Sequence, residues 1–465
     1  MSAFRRNFSG MLGLATCLAL GLSACGKRPA HPVARETRLE WNLRTTAGAY
    51  ELFGETHATW DGPATNALIE FSRYRCGLLA PGEDAAEIIR TNCEAALLAR
   101  CDDPLIEYLN VRFALSETNT AQAFADALGK AADDLEASYY PSIRKLYAAL
   151  RAAEQYKYAA GGSTNANQVV FHYRHVAMTN LALVVADAST PVEEVYEACR
   201  DTFFMLDQNA RQFTNCYAAI AGPLMANWPD ASPAWLVRGV AQERMAWFAR
   251  GGGYADAVSA EGWAGFNAGT AEAERCLLRA WDLNPHDPRI PNEMLRVCID
   301  TSKSRDQMEL WFNRAMELDP ANYDACASKL RYLLPRWYGS DEATLEFGRQ
   351  CVQSTQYRGA VPYILVDAHQ YIFGEQPPAK WNTYWKQPEV WTDVQAAYER
   401  LLVLNPQSTY YYYKYAQAAY SAGKWRLFLD MVKKPGPVNY SVFGGKDQFD
   451  LLVQSAEIKS RQETP

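Results

Sequence analysis

The sequence predicts an all-α protein built as an irregular array of antiparallel helix hairpins. Apolar residues recur at intervals of three and four, as Met308, Trp311 and Ala315 do, which is the spacing of one helix face. Turn-forming groups such as Asn284-Pro285 interrupt this pattern every twenty residues or so along the 465 residues. No stretch alternates polar and apolar residues for long enough to indicate a strand. A chain of short helices joined by turns accounts for all three observations.

Two serines mark expected helix starts. Ser304 is followed three residues later by Gln307, which is the capping-box spacing in which a hydroxyl accepts from the third helical amide. Ser340 precedes Asp341 and Glu342, whose negative charges favour the first turn of a helix. We therefore expect helices to begin directly after both serines.

A helix ending is repeated in the C-terminal half. Residues 280–285, 315–320 and 401–406 all end in Leu, then Asn or Asp, then Pro. Pro285 and Pro320 are 35 positions apart, close to the tetratricopeptide period of roughly 34 residues. The stretches resemble the end of the second tetratricopeptide helix, although the later spacing is irregular. The resemblance implies a tetratricopeptide-like solenoid.

Three further stretches resemble an uncharacterised family of bacterial tetratricopeptide-like proteins. They are residues 101–108, 250–266 and 336–340, and the resemblance covers most of residues 65–370. It implies a fold but no activity. We divide the body into an N-terminal helical region at 64–270 and a C-terminal tetratricopeptide-like region at 271–460.

The N-terminus has the order of a secretory signal. Arg5 and Arg6 precede an apolar stretch that is too short to span a bilayer, since a span needs about 20 residues. The sequence Leu-Ser-Ala-Cys that ends at Cys25 resembles the lipobox of bacterial lipoproteins. The resemblance implies a signal peptide at 1–24 and a lipid on Cys25, followed by a tether and lead-in segment at 25–63.

The resemblance to bacterial lipoproteins also implies a location. A residue other than Asp after the lipidated cysteine usually directs such proteins to the outer membrane, and here that residue is Gly26. We expect a cell-envelope protein that is held by its lipid and faces the periplasm. A plain signal peptide with a chance cysteine is the alternative.

Four cysteine pairs are candidates for disulfides in this oxidising compartment. The two members of each pair lie at equal distances from an expected helix turn, so they would face each other across an antiparallel hairpin. The pairs are Cys76 with Cys93, Cys276 with Cys298, Cys326 with Cys351 and, on a weaker turn, Cys199 with Cys216. The alternative is that these cysteines are small buried apolar residues.

The sequence contains no recognised catalytic, metal-binding or cofactor-binding motif. We therefore expect no enzyme activity, no metal and no cofactor. The chain carries 46 Lys and Arg against 53 Asp and Glu, and this negative balance argues against nucleic acid as a partner.

Two segments are candidate binding sites. The stretch from Tyr254 to Phe266 reads as a long loop, and long ordered loops tend to carry function. Aromatic residues between Pro378 and Pro388 would suit a peptide or a sugar, with helix packing as the alternative. The candidate partner-binding residues are Tyr254, Asp256, Glu261, Trp263, Trp381, Tyr384 and Trp385.

The sequence therefore favours an outer-membrane lipoprotein whose helical body binds an envelope protein or peptide. The competing hypothesis is a periplasmic protein that binds or cleaves cell-wall glycan with an active site that no motif reveals. Converging carboxylates of perturbed pKa in a cleft would favour the enzyme, and an apolar groove would favour the scaffold.

Overall fold

The computed structural model describes residues 36–78, 84–114, 120–159, 164–434, 436 and 438–461. In these residues the chain forms helices and turns, and none of them lies in a strand. The predicted all-α class is confirmed. The signal peptide and Cys25 lie outside the described residues.

The helices follow one another with short connections. The first group is α1 Arg38–Arg44, α2 Ala47–Phe53, α3 Asp61–Arg75, α4 Ala85–Leu98, α5 Pro104–Phe113, α6 Ala121–Glu136, α7 Ser142–Ala159, α8 Thr164–Ala186, α9 Val192–Leu206, α10 Ala210–Asn227 and α11 Ser232–Arg250. The second group is α12 Ala260–Leu283, α13 Arg289–Asp300, α14 Arg305–Leu318, α15 Tyr323–Tyr332, α16 Asp341–Gln353, α17 Ile364–Gly374, α18 Trp381–Tyr384, α19 Pro388–Leu404, α20 Thr409–Ser421, α21 Trp425–Lys433 and α22 Lys446–Ser460. Single 3₁₀ turns occur at Ala255–Ala257, Val361–Tyr363, Pro378–Lys380 and Tyr440–Phe443.

Two layers of helices result from this order. Helices α7, α9, α11, α13, α15 and α17 each contact the next in that series, so they form one layer, which we call the first-helix layer. The helices between them, such as α8, α12 and α16, pack against it as the second members of hairpins. Stacked hairpins of this kind form a tetratricopeptide-like solenoid, as predicted.

The predicted helix ends are observed. Helices α12, α14 and α19 end at Leu283, Leu318 and Leu404, directly before the Asn-Pro and Asp-Pro pairs. Ser304 accepts a hydrogen bond from the Gln307 amide at the start of α14. At the start of α16, Ser340 likewise accepts from the amide of Ala343.

Two buried apolar clusters form the core. One extends from Trp41 to Ala368 and the other from Leu365 to Ala456, so they meet at α17. The lead-in segment takes part in the first cluster, because α1 and α2 bury Trp41 and Tyr50. The division of the body at residues 270 and 271 stays a prediction.

One stretch of the described chain is long and apolar enough to cross a membrane. It is Asn167–Ala186 in α8, and 39% of it is buried. Helix α8 packs on α7, α9 and α10, and Ala177, Leu181 and Val185 on it are fully buried. Packing between helices therefore explains its apolar composition.

The nine described cysteines are free thiols, so none of the four predicted disulfides is present in this structure. In two pairs the partners are neighbours. Cys351 is hydrogen-bonded to Cys326 across the α15–α16 hairpin, and Cys199 lies close to Cys216. Oxidation of these two pairs stays a prediction.

The other two cysteine pairings also stay predictions, and the structure places other groups beside these thiols. Cys76 caps the end of α3, whereas Cys93 lies two turns inside α4 beside Cys101, so they are not at equal distances from the turn. Cys276 faces Arg238 of α11, and Cys298 faces Glu274 and Lys303. Symmetry about the turn does not by itself identify partners, since the direction of each side chain also matters.

Candidate functional site

An open groove runs along the first-helix layer. It consists of four adjoining cavities with volumes of about 260, 340, 510 and 360 Å³ in chain order. Phe204 lines both the first and the second cavity, Arg296 both the second and the third, and Tyr371 both the third and the fourth. Shared lining residues make the four cavities one continuous surface, which we call the groove.

Phe204 is the most exposed aromatic side chain of the groove. It lies on α9 with 81% of its surface exposed, whereas its neighbour Phe203 is only 6% exposed. Helix α9 turns Phe203 into the core and Phe204 outward between two cavities. An aromatic ring held in this way on a rigid helix is a typical anchor for a binding partner.

Arginines surround this ring on both sides. Those that line the groove are Arg75, Arg112, Arg151, Arg200, Arg244, Arg289, Arg296 and Arg331. Arg289 is held firmly, because it bonds to Asp287 at 2.6 Å and stacks 4.1 Å from the centre of the Tyr196 ring. Arg244 is 2.9 Å from Asp207. The lining of the groove is thus mainly charged, with a few apolar side chains among the charged ones.

The third cavity contains carboxyl groups that differ from ordinary surface acids. Burial and the neighbouring Asp300 raise the pKa of Glu243 to about 7. Burial also raises the pKa of Asp300, which is hydrogen-bonded to Glu243 and accepts from Trp247 Nε1 at 3.0 Å. Burial raises the pKa of Glu293 in the same way. The Glu243–Asp300 pair therefore keeps one of its two protons at a pH where two exposed carboxyl groups would both be ionised.

Replacing Glu243 with glutamine is expected to stabilise the protein at pH 8 by on the order of 2 kcal/mol and to leave its stability unchanged at pH 4. The folded pKa of about 7 exceeds the unfolded value of about 4.3. The folded state therefore binds more protons between these values, and stability falls as pH rises through the window. Urea denaturation at both pH values measures the effect.

The exposed Glu51 on α2 provides the control for this substitution. Glu51→Gln should change the free energy of unfolding by less than about 0.5 kcal/mol, as substitutions on the surface generally do. A Glu243→Gln variant that is less stable than the parent protein at pH 8 would show that Glu243 is stabilising as an anion.

The predicted loop site is shorter than expected and lies apart from the groove. Helix α12 begins at Ala260 because Ser259 caps it, so Glu261 and Trp263 lie in its first turn. Tyr254 and Asp256 are exposed at the tip of the hairpin. None of these four side chains lines a cavity of the groove. The sequence reading missed the serine cap that ends the loop.

The second predicted site divides between core and surface. Tyr384 is 5% exposed and bonds to His369 Nδ1 at 2.9 Å. Trp385 is half-buried against Phe373, whereas Trp381 is 51% exposed. Packing between helices, the alternative to a binding site, therefore accounts for Tyr384 and for the buried part of Trp385. The three aromatic side chains do not form one exposed patch.

The described part of the chain has no group of three or more His, Cys, Asp or Glu side chains that could hold a metal ion. Among the groove acids, Glu154 and Glu293 pair with arginines, Glu243 with Asp300, and Asp367 accepts from the Tyr323 hydroxyl. What the groove offers chemically is therefore ionic contacts, hydrogen bonds and aromatic packing.

Comparison with known proteins yields similarity of structure only. No family model matches the sequence, and no curated protein matches it. The solved structures that resemble it include the human IFIT1 dimer with m7Gppp-AAAA, at 11% identity and a TM-score of 0.26, covering 84% of this chain and 82% of that one. Another is the APC/C hetero-tetramer Cut9-Hcn1, at 10% identity and a TM-score of 0.22, covering 90% of this chain and 96% of that one. No conclusion about a ligand follows from likeness at this level.

Proposed function

We propose that this chain is a lipid-anchored binding scaffold of the bacterial outer membrane. Its lipid on Cys25 would hold it to the membrane, and its helical body would bind an envelope protein or peptide in the periplasm. The observation that carries the binding role is the groove, in which the exposed ring of Phe204 stands between two cavities rich in arginine. The lipobox-like sequence at Cys25 supports the location.

The shape of the groove favours an extended partner. It crosses helices from α3 to α17 and stays open along its length. Such a surface can contact several successive residues of a peptide at once, with an aromatic anchor between the first two cavities and ionic contacts on either side. A small compact ligand would leave most of these contacts unused.

Replacing Phe204 with aspartate is expected to weaken partner capture by about tenfold or more. Because the ring is 81% exposed, the change should leave the melting temperature within about 2 °C of the parent value. Affinity purification of the lipidated protein from membranes, with quantitative mass spectrometry, measures capture. Phe171 on α8, which is 57% exposed and away from the groove, supplies the matched control. Equal capture by both aspartate variants would contradict a partner site in the groove.

The groove is charged, whereas an apolar groove is expected of a scaffold, and its carboxyl groups of raised pKa are the feature expected of an enzyme. This favours a second candidate, a periplasmic protein that binds or cleaves cell-wall glycan. The Glu243–Asp300 pair combines a raised pKa with a position in an open cavity, and paired carboxyl groups with separated proton affinities are the usual apparatus of acid–base catalysis. Incubation with purified cell-wall glycan, followed by analysis of the released fragments, tests this. If the parent protein releases fragments and the Glu243→Gln variant does not, the protein is an enzyme that uses Glu243. If the parent and the variant release equal amounts, this activity is not established.

A further inference from the structure

The first cavity of the groove has features of an anion site. It lies between α3, α5, α7 and α9 and has a volume of about 260 Å³. Arg75, Arg112 and Arg151 line it, each from a different helix. Three arginines from three helices surround a space that is large enough for a carboxylate group of a peptide and for the side chain next to it.

Two buried polar atoms of this cavity make no well-aligned hydrogen bond, although the Arg75 guanidinium lies close enough to Tyr147 to interact with it. The two atoms are the Tyr147 hydroxyl and the Arg75 Nε–H group. Tyr147 is only 7% exposed, and the Arg75 guanidinium lies 3.8 Å from the centre of its ring. Burial raises the pKa of Tyr147, so its hydroxyl keeps its proton. Buried donors without a well-aligned partner destabilise a fold, and an acceptor that binds between them relieves this cost.

Two acids, Glu154 and Asp201, also line the cavity, and each is paired with an arginine. Glu154 accepts from Arg151 at 2.5 Å, and Asp201 is engaged by Arg200 at 2.9 Å. Arg112 instead stacks over aromatic rings, with its guanidinium carbon 5.2 Å from the centre of Phe113. Arg75 is 3.6 Å from Glu194, which is fully buried and does not line the cavity.

Apolar side chains complete the lining. Leu150, Phe204 and Met205 lie beside the cations. Phe204 joins this cavity to the rest of the groove. A ligand group here would place its negative charge near Arg75 and Arg112 and an apolar side chain near Phe204.

We infer that this first cavity binds a carboxylate of the peptide that occupies the groove, with the Tyr147 hydroxyl and Arg75 as donors. The inference rests on the proposed function, which it deepens by naming the chemistry of the partner. The carboxylate comes from the end of the peptide chain or from an Asp or Glu side chain. Both sources present the same group to Tyr147.

A small probe tests the cavity independently of any partner. We expect 3-phenylpropionate to bind and its neutral amide, 3-phenylpropionamide, to bind about tenfold more weakly or not at all, measured by titration calorimetry on the full chain. Tyr147→Phe should weaken binding of the acid by about tenfold, because a hydrogen bond to a charged group is lost. The same variant should melt at the parent temperature or higher, since it removes a buried hydroxyl that makes no well-aligned hydrogen bond.

Tyr108→Phe is the matched control. Tyr108 on α5 also buries a hydroxyl that makes no well-aligned hydrogen bond, but it does not line the cavity. Tyr108→Phe, like Tyr147→Phe, should melt at the parent temperature or higher. Unlike Tyr147→Phe, it should leave the binding of 3-phenylpropionate unchanged. Equal binding of acid and amide, equal loss in both variants, or equally tight binding of inorganic phosphate would overturn the inference.

Peptide pools then separate this inference from the proposed function. A pool of N-acetylated hexapeptides with free C-terminal carboxylates is compared with the same sequences amidated. Loss of binding on amidation assigns the carboxylate to the chain end, and retained binding that needs Asp or Glu assigns it to a side chain. A third result is peptide binding that needs neither a free chain end nor an Asp or Glu side chain and yet is abolished by Phe204→Asp. That result would overturn the carboxylate site and leave the proposed scaffold role intact.

Discussion

Replacing Glu194 with alanine is expected to lower the free energy of unfolding by about 3–5 kcal/mol at pH 7. Glu194 lies on α9 and is fully buried. One oxygen accepts from Arg38 Nε at 2.5 Å and from Asn42 Nδ2 at 2.9 Å. The substitution would leave buried cations without their counter-charge, which is the costly way to break an internal ion pair.

The network extends beyond these contacts and joins four helices. Arg144 on α7 is 2% exposed and donates to Asn42 Oδ1 at 2.6 Å and to Thr45 Oγ1 at 2.7 Å. Arg75 of α3 lies 3.6 Å from Glu194. Burial lowers the pKa of Arg144 to about 10, which leaves it charged at pH 7. Glu194 therefore holds α1, α3 and α7 to α9.

The effect of Glu194→Ala depends on pH. Burial acts to raise the pKa of Glu194, but the charge of Arg75 and the hydrogen bond from Arg38 outweigh it and hold the pKa below its usual value. Its contribution is therefore present above the unfolded pKa of about 4.3 and is lost as pH falls through the folded pKa. The difference in the free energy of unfolding between the Glu194→Ala variant and the parent protein should therefore be smaller at pH 3 than at pH 7. Urea denaturation at both pH values measures it.

The adjacent Glu193 provides a control for the loss of a carboxylate. Its side chain is 46% exposed and pairs with Arg289 at 3.0 Å. Glu193→Ala should cost less than about 1 kcal/mol, as exposed pairs generally do. Similar losses at both positions would show that the buried network does not hold the N-terminal helices together.

Replacing Gly339 with alanine is expected to destabilise the protein by about 3 kcal/mol or more. Gly339 lies in the turn between α15 and α16, and its amide donates to Leu334 at 3.4 Å. A Cβ atom here would lie 2.7 Å from Leu333 Cα and closer still to the Leu333 carbonyl group. These are backbone atoms, so the turn itself would have to move. Thermal and urea unfolding measure the loss.

Gly374 at the end of α17 is the matched control for Gly339. A Cβ atom there would meet nothing within 4 Å, so Gly374→Ala should be neutral or slightly stabilising. If Gly339→Ala were equally harmless, the close turn at Leu333 would be absent from the protein in solution.

Local chemistry explains why the helix ends could be predicted. Proline lacks an amide proton and serine caps the first turn, so Pro285, Pro320, Ser304 and Ser340 each mark a boundary through contacts within a few residues. These signals specify the order of the hairpins, and order largely determines a stacked array.

The groove could not be predicted because it joins side chains that are distant in sequence. Arg75 and Tyr147 meet only because α3 and α7 are brought together around Glu194, which no local pattern encodes. Phe203 and Phe204 look alike in the sequence, and only the rotation of α9 decides which one is exposed. The cysteine pairings depend on the same unknown, the direction in which each helix turns its side chains.

Site-specific photocrosslinking in intact cells tests the central claim most directly. A photoreactive phenylalanine analogue placed at position 204 of the full chain reports what lies on the groove, and the same analogue at position 171 reports the opposite layer. We expect one defined envelope protein or peptide to be crosslinked from position 204 in the outer-membrane fraction and not from position 171. No product from position 204, or the same products from both positions, would contradict this expectation.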